Sequence, residues 1–506
     1  MLRSLRQLSS DTLYYGLASA LQKLIGLVLF PVYARLLSKS DFGIQDLILT
    51  ATTVAFTILA LGLNNGVARE YYEQNSDEAR RSLLSTWFWF QLLVAVPICA
   101  LLVIFAAPVC DLIFDRPELA VYFQIGISTV PFTLLNNIVA LTLRLNFRAR
   151  QYALLAGLAA LVQMLLTILL VAVFDLGLKG VFWALWLGAA AQAAIGFVLT
   201  RGNFGRQFDA HWLRPILTFG LPIVPAGLGM WVLNSSNRYF MVRLGTLEDI
   251  ALLGAGTRVG SLIGFVVTAF MTAWPMFAFS VLKDQDQARK IYSVVLTYFL
   301  LLALSATVLL SLFAREAILI LATNRYLESA LLVPWVALAA VVWGAGDIVG
   351  MGFSIARKTY HIILATAIGA AVTIALNLIL IGPYGAMGAV LASLAGNLAT
   401  FGYLYWAGQH YFPVKYAYSR IAALVFLSLL VIICGLFWDR LSIQSFWLQL
   451  AGKIALALAY GAGIFAFRLI TLADLKQAWA RLRNRNSSSG GQAPGVTHDE
   501  NIPPAA

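Results

Sequence analysis

Three charged side chains fall in the middle of long apolar stretches, where a charge is costly and usually serves binding or ion movement. Lys23 lies in the stretch 12–37, Arg258 in 249–275 and Asp347 in 329–354. Lys23 is about 16 Å from the start of its stretch along a helix that rises about 1.5 Å per residue. A guanidinium pairs well with phosphate oxygens, and an ammonium acts as a point charge. Lys23 and Arg258 are therefore candidate ligands of an anion.

A second interpretation of Arg258 stays open, because Arg258 and Asp347 would also serve as a buried structural ion pair. Arg238 is a further cation, toward the end of the stretch 215–243. Asp46 and Asp347 are candidate proton or sodium sites, since a buried carboxylate can be neutralised by protonation. Asp46 lies close enough to the membrane surface for hydration to explain it equally well.

Amide side chains supply the remaining polarity inside the apolar stretches. Asn64, Asn234, Asn377 and Asn397 are predicted to form hydrogen bonds either with neighbouring helices or with the hydroxyl groups of a ligand.

The composition places these residues in a membrane. Of 506 residues, 60% are hydrophobic and 11% are charged, whereas soluble proteins average about 25% charged residues. A spanning helix needs about 20 residues, so we predict an all-α polytopic membrane protein with about fourteen transmembrane helices. The predicted spans are 12–37, 42–66, 83–107, 119–143, 152–174, 179–200, 215–243, 249–275, 293–313, 329–354, 361–381, 385–407, 420–438 and 447–470.

Lys and Arg are concentrated in alternate connections between these spans. Cytoplasmic loops carry the excess of Lys and Arg, so we predict that both termini are cytoplasmic. The net charge of +12 is spread over many loops rather than gathered in one stripe. This distribution argues against nucleic acid and leaves the lipid bilayer as the expected surroundings.

The chain contains an internal repeat. GLKGVFWALWLG at 177–188 is similar to GAMGAVLASLAG at 385–396. The offset corresponds to six helices, so both halves keep the same orientation, which is a parallel repeat. We predict an N-lobe at 1–206 (helices 1–6), a C-lobe at 207–410 (helices 7–12), two additional helices at 411–470 and a disordered cytoplasmic tail at 471–506.

Catalytic and metal-binding patterns are missing from the sequence. It has no phosphate-binding loop, no HExxH and no nucleophile turn, and its few His and Cys residues lack metal-ligand spacing. We therefore predict no catalytic residue, no metal and no cofactor, with H⁺ or Na⁺ as the candidate coupling ion. The expected class is a transporter and not an enzyme.

Four passages resemble the polysaccharide (O-antigen type) flippases of the multidrug/oligosaccharidyl-lipid/polysaccharide exporter superfamily. They are 33–43 (YARLLSKSDFG), 219–222 (FGLP) followed by 234–240 (NSSNRYF), 253–260 (LGAGTRVG) and 377–391 (NLILIGPYGAMGAVL). The resemblance covers residues 10–470. It departs from the family pattern at Asn237, where many members have Asp.

The resemblance implies two six-helix lobes around a central cavity that opens alternately to the two sides of the membrane. The implied substrate is an undecaprenyl pyrophosphate-linked oligosaccharide, moved to the outer leaflet of the bacterial inner membrane for lipopolysaccharide or exopolysaccharide synthesis. Lys23, Arg258 and Arg238 are then the predicted pyrophosphate ligands. The predicted sugar ligands are Asn64, Asn234, Asn377 and Asn397. A polysaccharide polymerase and a chain-length regulator are the expected protein partners.

Two other functions remain as alternatives. A cation-coupled multidrug exporter of the same superfamily would be expected to have a more acidic cavity. A membrane-embedded polysaccharide polymerase or ligase would be expected to have a large outer loop, and the connections here are short.

Overall fold

The computed structural model describes residues 26, 28–282, 284–356, 358, 360–441 and 445–467. All regular secondary structure in these ranges is helical. Lys23 and the predicted tail at 471–506 lie outside the described residues.

The helices follow one another with short connections. In chain order they are α1 (28–36), α2 (Lys39–Leu59), α3 (Leu63–Glu73), α4 (Asp77–Ile104), α5 (Ala106–Phe114), α6 (Ala120–Ser128), α7 (Val130–Leu145), α8 (Ala149–Thr167), α9 (Gly177–Thr200), α10 (Leu213–Gly220), α11 (Val224–Ser235), α12 (Asn237–Leu244), α13 (Leu247–Gly260), α14 (Ile263–Ser280), α15 (Gln285–Leu312), α16 (Ala314–Leu321), α17 (Val333–Val349), α18 (Met351–Ile355), α19 (Tyr360–Tyr411), α20 (Tyr418–Arg440) and α21 (Phe446–Ala466).

Twelve helical stretches of the described chain are long and apolar enough to cross a membrane. The polytopic all-helical class is confirmed, but the predicted count of about fourteen is not. Predicted helices 11 and 12 form one stretch, α19, which bends at Gly385 (φ 51°, ψ −128°). Predicted helix 8 is interrupted between α13 and α14, and α13 alone has only 14 residues.

The internal repeat has a structural counterpart at two glycines. Gly177, at the start of α9, has φ +52°, and Gly385, at the bend of α19, has φ +51°. Residues with a Cβ rarely adopt this left-handed conformation. The connection between predicted helices 5 and 6 and the connection between predicted helices 11 and 12 therefore each have a glycine in the left-handed region.

Predicted helix 2 is bent and packs against the second half of the chain at both ends. Leu61 (φ 50°) and Gly62 (φ 64°) separate α2 from α3. The first arm, α2, packs against α13, and the second, α3, packs against α10. Gly43 of α2 lies directly against the backbone carbonyl of Leu247, so that a Cβ at this position would overlap it.

The two additional helices are attached to the second half of the chain. Helix α20 packs against α15, and α21 packs against α20. Lys453 of α21 is fully buried, and its Nζ lies 2.7 Å from Glu316 and 2.8 Å from Asp439. A buried ammonium needs such paired carboxylates, so these contacts fix α21 against α16, which carries Glu316, and against the end of α20, which carries Asp439.

We expect the substitution Gly43→Ala to weaken the contact between α2 and α13. Forcing a methyl group into a tight contact typically costs about 1–3 kcal/mol. The purified variant should have a lower midpoint of thermal unfolding.

Gly157→Ala is the matched control, because a Cβ at Gly157 meets nothing within 4 Å. There, alanine in a helix should be neutral or stabilising by up to about 1 kcal/mol. Equal effects of the two substitutions would contradict the packing argument.

Candidate functional site

A buried ion pair joins the first half of the chain to the second. Nε of Arg238 in α12 donates to Oδ2 of Asp46 in α2 at 2.8 Å. The side chains are 8% and 15% exposed, respectively. The predicted roles are substrate binding for Arg238 and ion coupling for Asp46, whereas in the structure these two side chains pair with each other. This pairing is the charge compensation that a mostly buried carboxylate and guanidinium require.

The polar segment at the end of α11 positions Arg238. Helix 7 is interrupted at Ser236, whose hydroxyl donates to the carbonyl of Val232. Nη1 of Arg238 donates to the carbonyl of Asn234 at 3.1 Å and to Oδ1 of Asn237 at 3.0 Å. These bonds hold the guanidinium toward α2.

Arg258 lies among aromatic rings. Its guanidinium carbon is 4.2 Å from the ring centre of Phe42 and 5.3 Å from that of Phe30. Its Nη1 is buried without a hydrogen-bond partner. The structure does not bring Arg258 to Asp347, since no ion pair joins these two described residues. A cation over an aromatic face is stabilised electrostatically. A buried N–H without a hydrogen-bond acceptor nevertheless costs free energy, so binding of an acceptor there would be favourable.

Tyr326 adds a second unpaired donor beside Arg258. Its ring packs against Phe42 at 5.5 Å between ring centres, and its hydroxyl is buried without a partner. Tyr326 lies outside the membrane-spanning stretches. Burial raises its pKa to about 12, against the opposing effect of Arg258. The phenol is thus neutral at physiological pH and keeps its proton for donation.

We call Asp46, Arg238 and Arg258 the charged cluster. The cluster has two cations, Arg238 and Arg258, and one carboxylate, Asp46, which forms its ion pair with Arg238. Asp46 and Arg238 both contribute to the electrostatic surroundings of Arg258. The cluster therefore carries one uncompensated positive charge, and its free N–H group is a donor of the kind that binds phosphate oxygens.

A cavity of about 340 Å³ adjoins the charged cluster in the second half of the chain. Arg238, Asn234 and Asn397 line it together with Thr257 and Ser261. Three predicted ligand residues thus lie in one place, which we call the second-half cavity.

Asn377 lies elsewhere. It is fully buried, its amide atoms have no partner and it does not line this cavity. Asn377 is thus not brought to the cavity in this conformation, and its contact with a sugar stays a prediction.

A larger cavity of about 590 Å³, which was not predicted from the sequence, lies in the first half of the chain, and we call it the first-half cavity. Its polar lining includes Asn136, Asn137, Gln163, Gln192, Thr129 and Thr133, with Arg144 as the one charged residue. Asn64 donates to Oδ1 of Asn137 at 2.6 Å, and Oδ1 of Asn136 is buried without a partner. The sequence signal for this cavity was the presence of amide side chains at similar depths in predicted helices 4, 5 and 6.

Asp347 lines a third cavity, of about 260 Å³, with Trp274 and Trp343. Its side chain is exposed. Trp343 and Asn397 line both this cavity and the second-half cavity, so the two spaces are neighbours. Among the residues that the structure describes, no three His, Cys, Asp or Glu side chains lie together as metal ligands.

The repeated apolar spans and interior polar cavities define a polytopic membrane protein of the transporter type. The chain belongs to the polysaccharide biosynthesis protein family, whose pattern it matches over residues 8–281. This membership confirms the resemblance noted in the sequence. No curated protein matches the chain.

Two solved structures show the fold. The lipid II flippase MurJ in an inward closed conformation has 15% identity and a TM-score of 0.71, over 91% of this chain and all of that one. An inward-facing multidrug resistance MATE family transporter of the MOP superfamily has 15% identity and a TM-score of 0.64, over 79% of this chain and 95% of that one. The chain therefore has the fold shared by these two transporters.

The pair between Asp46 and Arg238 predicts non-additive substitutions. Removing one partner of a buried pair costs about 3–5 kcal/mol because the other charge is left uncompensated. Asp46→Asn and Arg238→Gln should each lower the thermal unfolding midpoint of the purified protein, and the double variant should lose much less than the sum.

Arg69 and Glu73, 3.2 Å apart and more than half exposed, form the control pair. Arg69→Gln and Glu73→Gln should each change the free energy of unfolding by less than about 1 kcal/mol. Strictly additive effects at Asp46 and Arg238 would show that the two side chains act separately.

Proposed function

We propose that this protein is a flippase that moves a polyprenyl (undecaprenyl) pyrophosphate-linked oligosaccharide from the cytoplasmic to the outer leaflet by alternating access. The observation that carries the proposal is the unpartnered Nη1 of Arg258 close to Arg238, in the interior of an apolar protein. Family membership and the fold shared with a lipid II flippase support the same class of substrate.

In the proposed mechanism, pyrophosphate competes with Asp46 for Arg238. Phosphate oxygens accept from a guanidinium as a carboxylate does, often through two parallel bonds. Nη1 of Arg258 is buried in this conformation, so the pyrophosphate would first reach Arg238, which lines the second-half cavity, and would bind Arg258 as the cluster opens. On Arg238 it would displace Asp46. Since Asp46 lies on α2 and Arg238 on α12, this exchange would release the contact between the two halves. Lys23 is proposed as a third cation for the same group.

The sugars would occupy the two polar cavities. The second-half cavity supplies Asn234 and Asn397, and the first-half cavity supplies Asn137, which already binds Asn64. Amides donate to and accept from sugar hydroxyls. The polyprenyl chain would stay in the bilayer, so that only the polar head group crosses the protein.

Ion coupling is assigned to Asp347 rather than Asp46, because Asp46 already has a cation partner. Protonation or Na⁺ binding at Asp347 would remove an uncompensated charge from its cavity. We further propose that the protein resides in the bacterial cytoplasmic membrane with both termini inside. It would carry out no covalent step of its own and would act beside a polysaccharide polymerase and a chain-length regulator.

Arg258→Ala is expected to abolish most transport. A hydrogen bond to a charged group contributes about 1.5–3 kcal/mol, which corresponds to about a 10- to 100-fold loss. Arg258→Lys should fall between wild type and alanine, because it keeps the charge but loses the two-pronged geometry. The measurement is surface polysaccharide in a strain whose own copy is deleted, with membrane expression checked by immunoblot.

Arg214→Ala, at an exposed arginine, is the control. If a well-expressed Arg258→Ala variant produced the wild-type amount of surface polysaccharide, Arg258 would not be a ligand of the anion. The same strains also test the drug-exporter alternative, which the MATE-like fold keeps open. Resistance to cationic dyes that depends on this gene, with normal surface polysaccharide in its absence, would favour export of drugs.

Asp347→Asn is expected to make transport insensitive to the ion gradient. The amide imitates the protonated carboxyl group and cannot lose a proton or bind Na⁺ well. In proteoliposomes loaded with the fluorescently labelled lipid-linked oligosaccharide, an imposed H⁺ or Na⁺ gradient should accelerate the wild type and not the variant.

Asp115→Asn, in the turn after α5, is the control carboxylate. Equal acceleration of the wild type and Asp347→Asn would assign coupling to another residue or to none.

A further inference from the structure

A separate pocket lies where α15 begins, α19 ends and α20 begins. Its volume is about 1210 Å³. It lies on the side that the Lys and Arg distribution predicts to be cytoplasmic, and it is distant in sequence from the charged cluster. Its charged lining residues are Asp286, Arg289, Lys290 and Lys415, and we call it the basic pocket.

The basic pocket has more positive charge than its own side chains neutralise. Nη1 of Arg289 donates to the one acid, Asp286, at 3.0 Å, while its guanidinium lies 5.1 Å from the ring centre of Phe412. Nε of Arg289 is buried without a partner. Lys290 and Lys415 are exposed, and neither has an ion-pair partner in the described ranges. Two positive charges and one buried donor are therefore available.

The wall of the pocket is held in place by its own hydrogen bonds. Gln409 binds both the carbonyl and the amide of Val414 at 2.8 Å, which fixes the turn that carries Lys415. The hydroxyls of Tyr405 and Tyr418 are 2.7 Å apart and join α19 to α20. Helix α20 begins without a side-chain cap. The N–H of Tyr418 donates to the carbonyl of Tyr416 at 2.9 Å, so the next two N–H groups and the positive end of the helix dipole are left for an anion.

The surroundings of the pocket are those of a membrane interface. Trp406 and Tyr418 line it and are 60% and 55% exposed. Such aromatic residues are enriched at the level of the lipid headgroups. Farther along α15 and α20, toward the membrane interior, Val294 and Phe426 are also exposed. An occupant with a phosphate at Lys290 and Lys415 would have apolar side chains beside its tail.

We propose that the basic pocket binds the headgroup of an acidic phospholipid of the adjacent leaflet. Basic pockets between membrane helices on the cytoplasmic side suit anionic headgroups. A zwitterionic headgroup leaves the lysine charges uncompensated, and free phosphate has no tail for the exposed apolar side chains. The bound lipid would join α15 to α19 and α20, and so hold the two additional helices to the second half of the chain. This inference does not depend on the proposed transport function.

The test uses the purified full chain, stripped of lipid and titrated with phosphatidylglycerol or phosphatidylcholine of the same acyl chains. Binding is followed by native mass spectrometry and by the thermal unfolding midpoint. We expect preferential binding and stabilisation by phosphatidylglycerol. A lysine near an anionic lipid contributes about fivefold in affinity, so Lys290→Gln/Lys415→Gln should bind phosphatidylglycerol about 30-fold more weakly.

Arg201→Gln/Arg206→Gln is the matched control, since both arginines are exposed and on the same predicted side. It should bind as the wild type does. The single variant Lys415→Gln, with an expected fivefold loss, replaces the double variant if that one fails to fold.

Three results would overturn the proposal. The first is equal affinity for the two lipids, and the second is unchanged binding by the Lys290→Gln/Lys415→Gln variant. The third is displacement of phosphatidylglycerol by inorganic phosphate or by polyprenyl pyrophosphate at lower concentrations than phosphatidylglycerol itself requires. Displacement by phosphate would indicate a simple anion site, and displacement by polyprenyl pyrophosphate would indicate a substrate site.

Discussion

The pairing of Arg238 with Asp46 is the contact on which the arrangement of the two halves depends. Neither charge is stable alone when its side chain is mostly buried, so the pair favours the conformation in which α2 and α12 meet. The backbone contact of Gly43 with Leu247 is the packing counterpart of that pair. A ligand that offers Arg238 a better acceptor would change both contacts at once.

The other interior charges of the described chain separate into those with partners and those without. Lys453 has two carboxylates and is structural. Arg258 has aromatic faces but no acceptor for Nη1, and Asp347 has a cavity but no cation. Charge without compensation inside a membrane protein is costly, so these two residues are better explained by a role in function than by a role in folding.

The sequence was sufficient for the membrane class, most spans and the charged residues of interest, because hydropathy and isolated charges are local properties. It could not predict that Arg238 meets Asp46, since their approach depends on how α12 packs against α2. The bend after α2 was missed because its first residue is Leu61, a residue type that rarely takes positive φ. The amides of the first-half cavity lie on three helices, and only packing shows that they share a space.

The bend at Leu61 and Gly62 divides predicted helix 2 into two arms with different partners, α13 for one and α10 for the other. A straight helix would move as one rod and loosen both contacts together. A helix bent at Leu61 and Gly62 has two separately packed arms. Under the alternating access proposed above, one arm would leave its partner while the other stays packed, so that the passage would not open to both sides of the membrane at once.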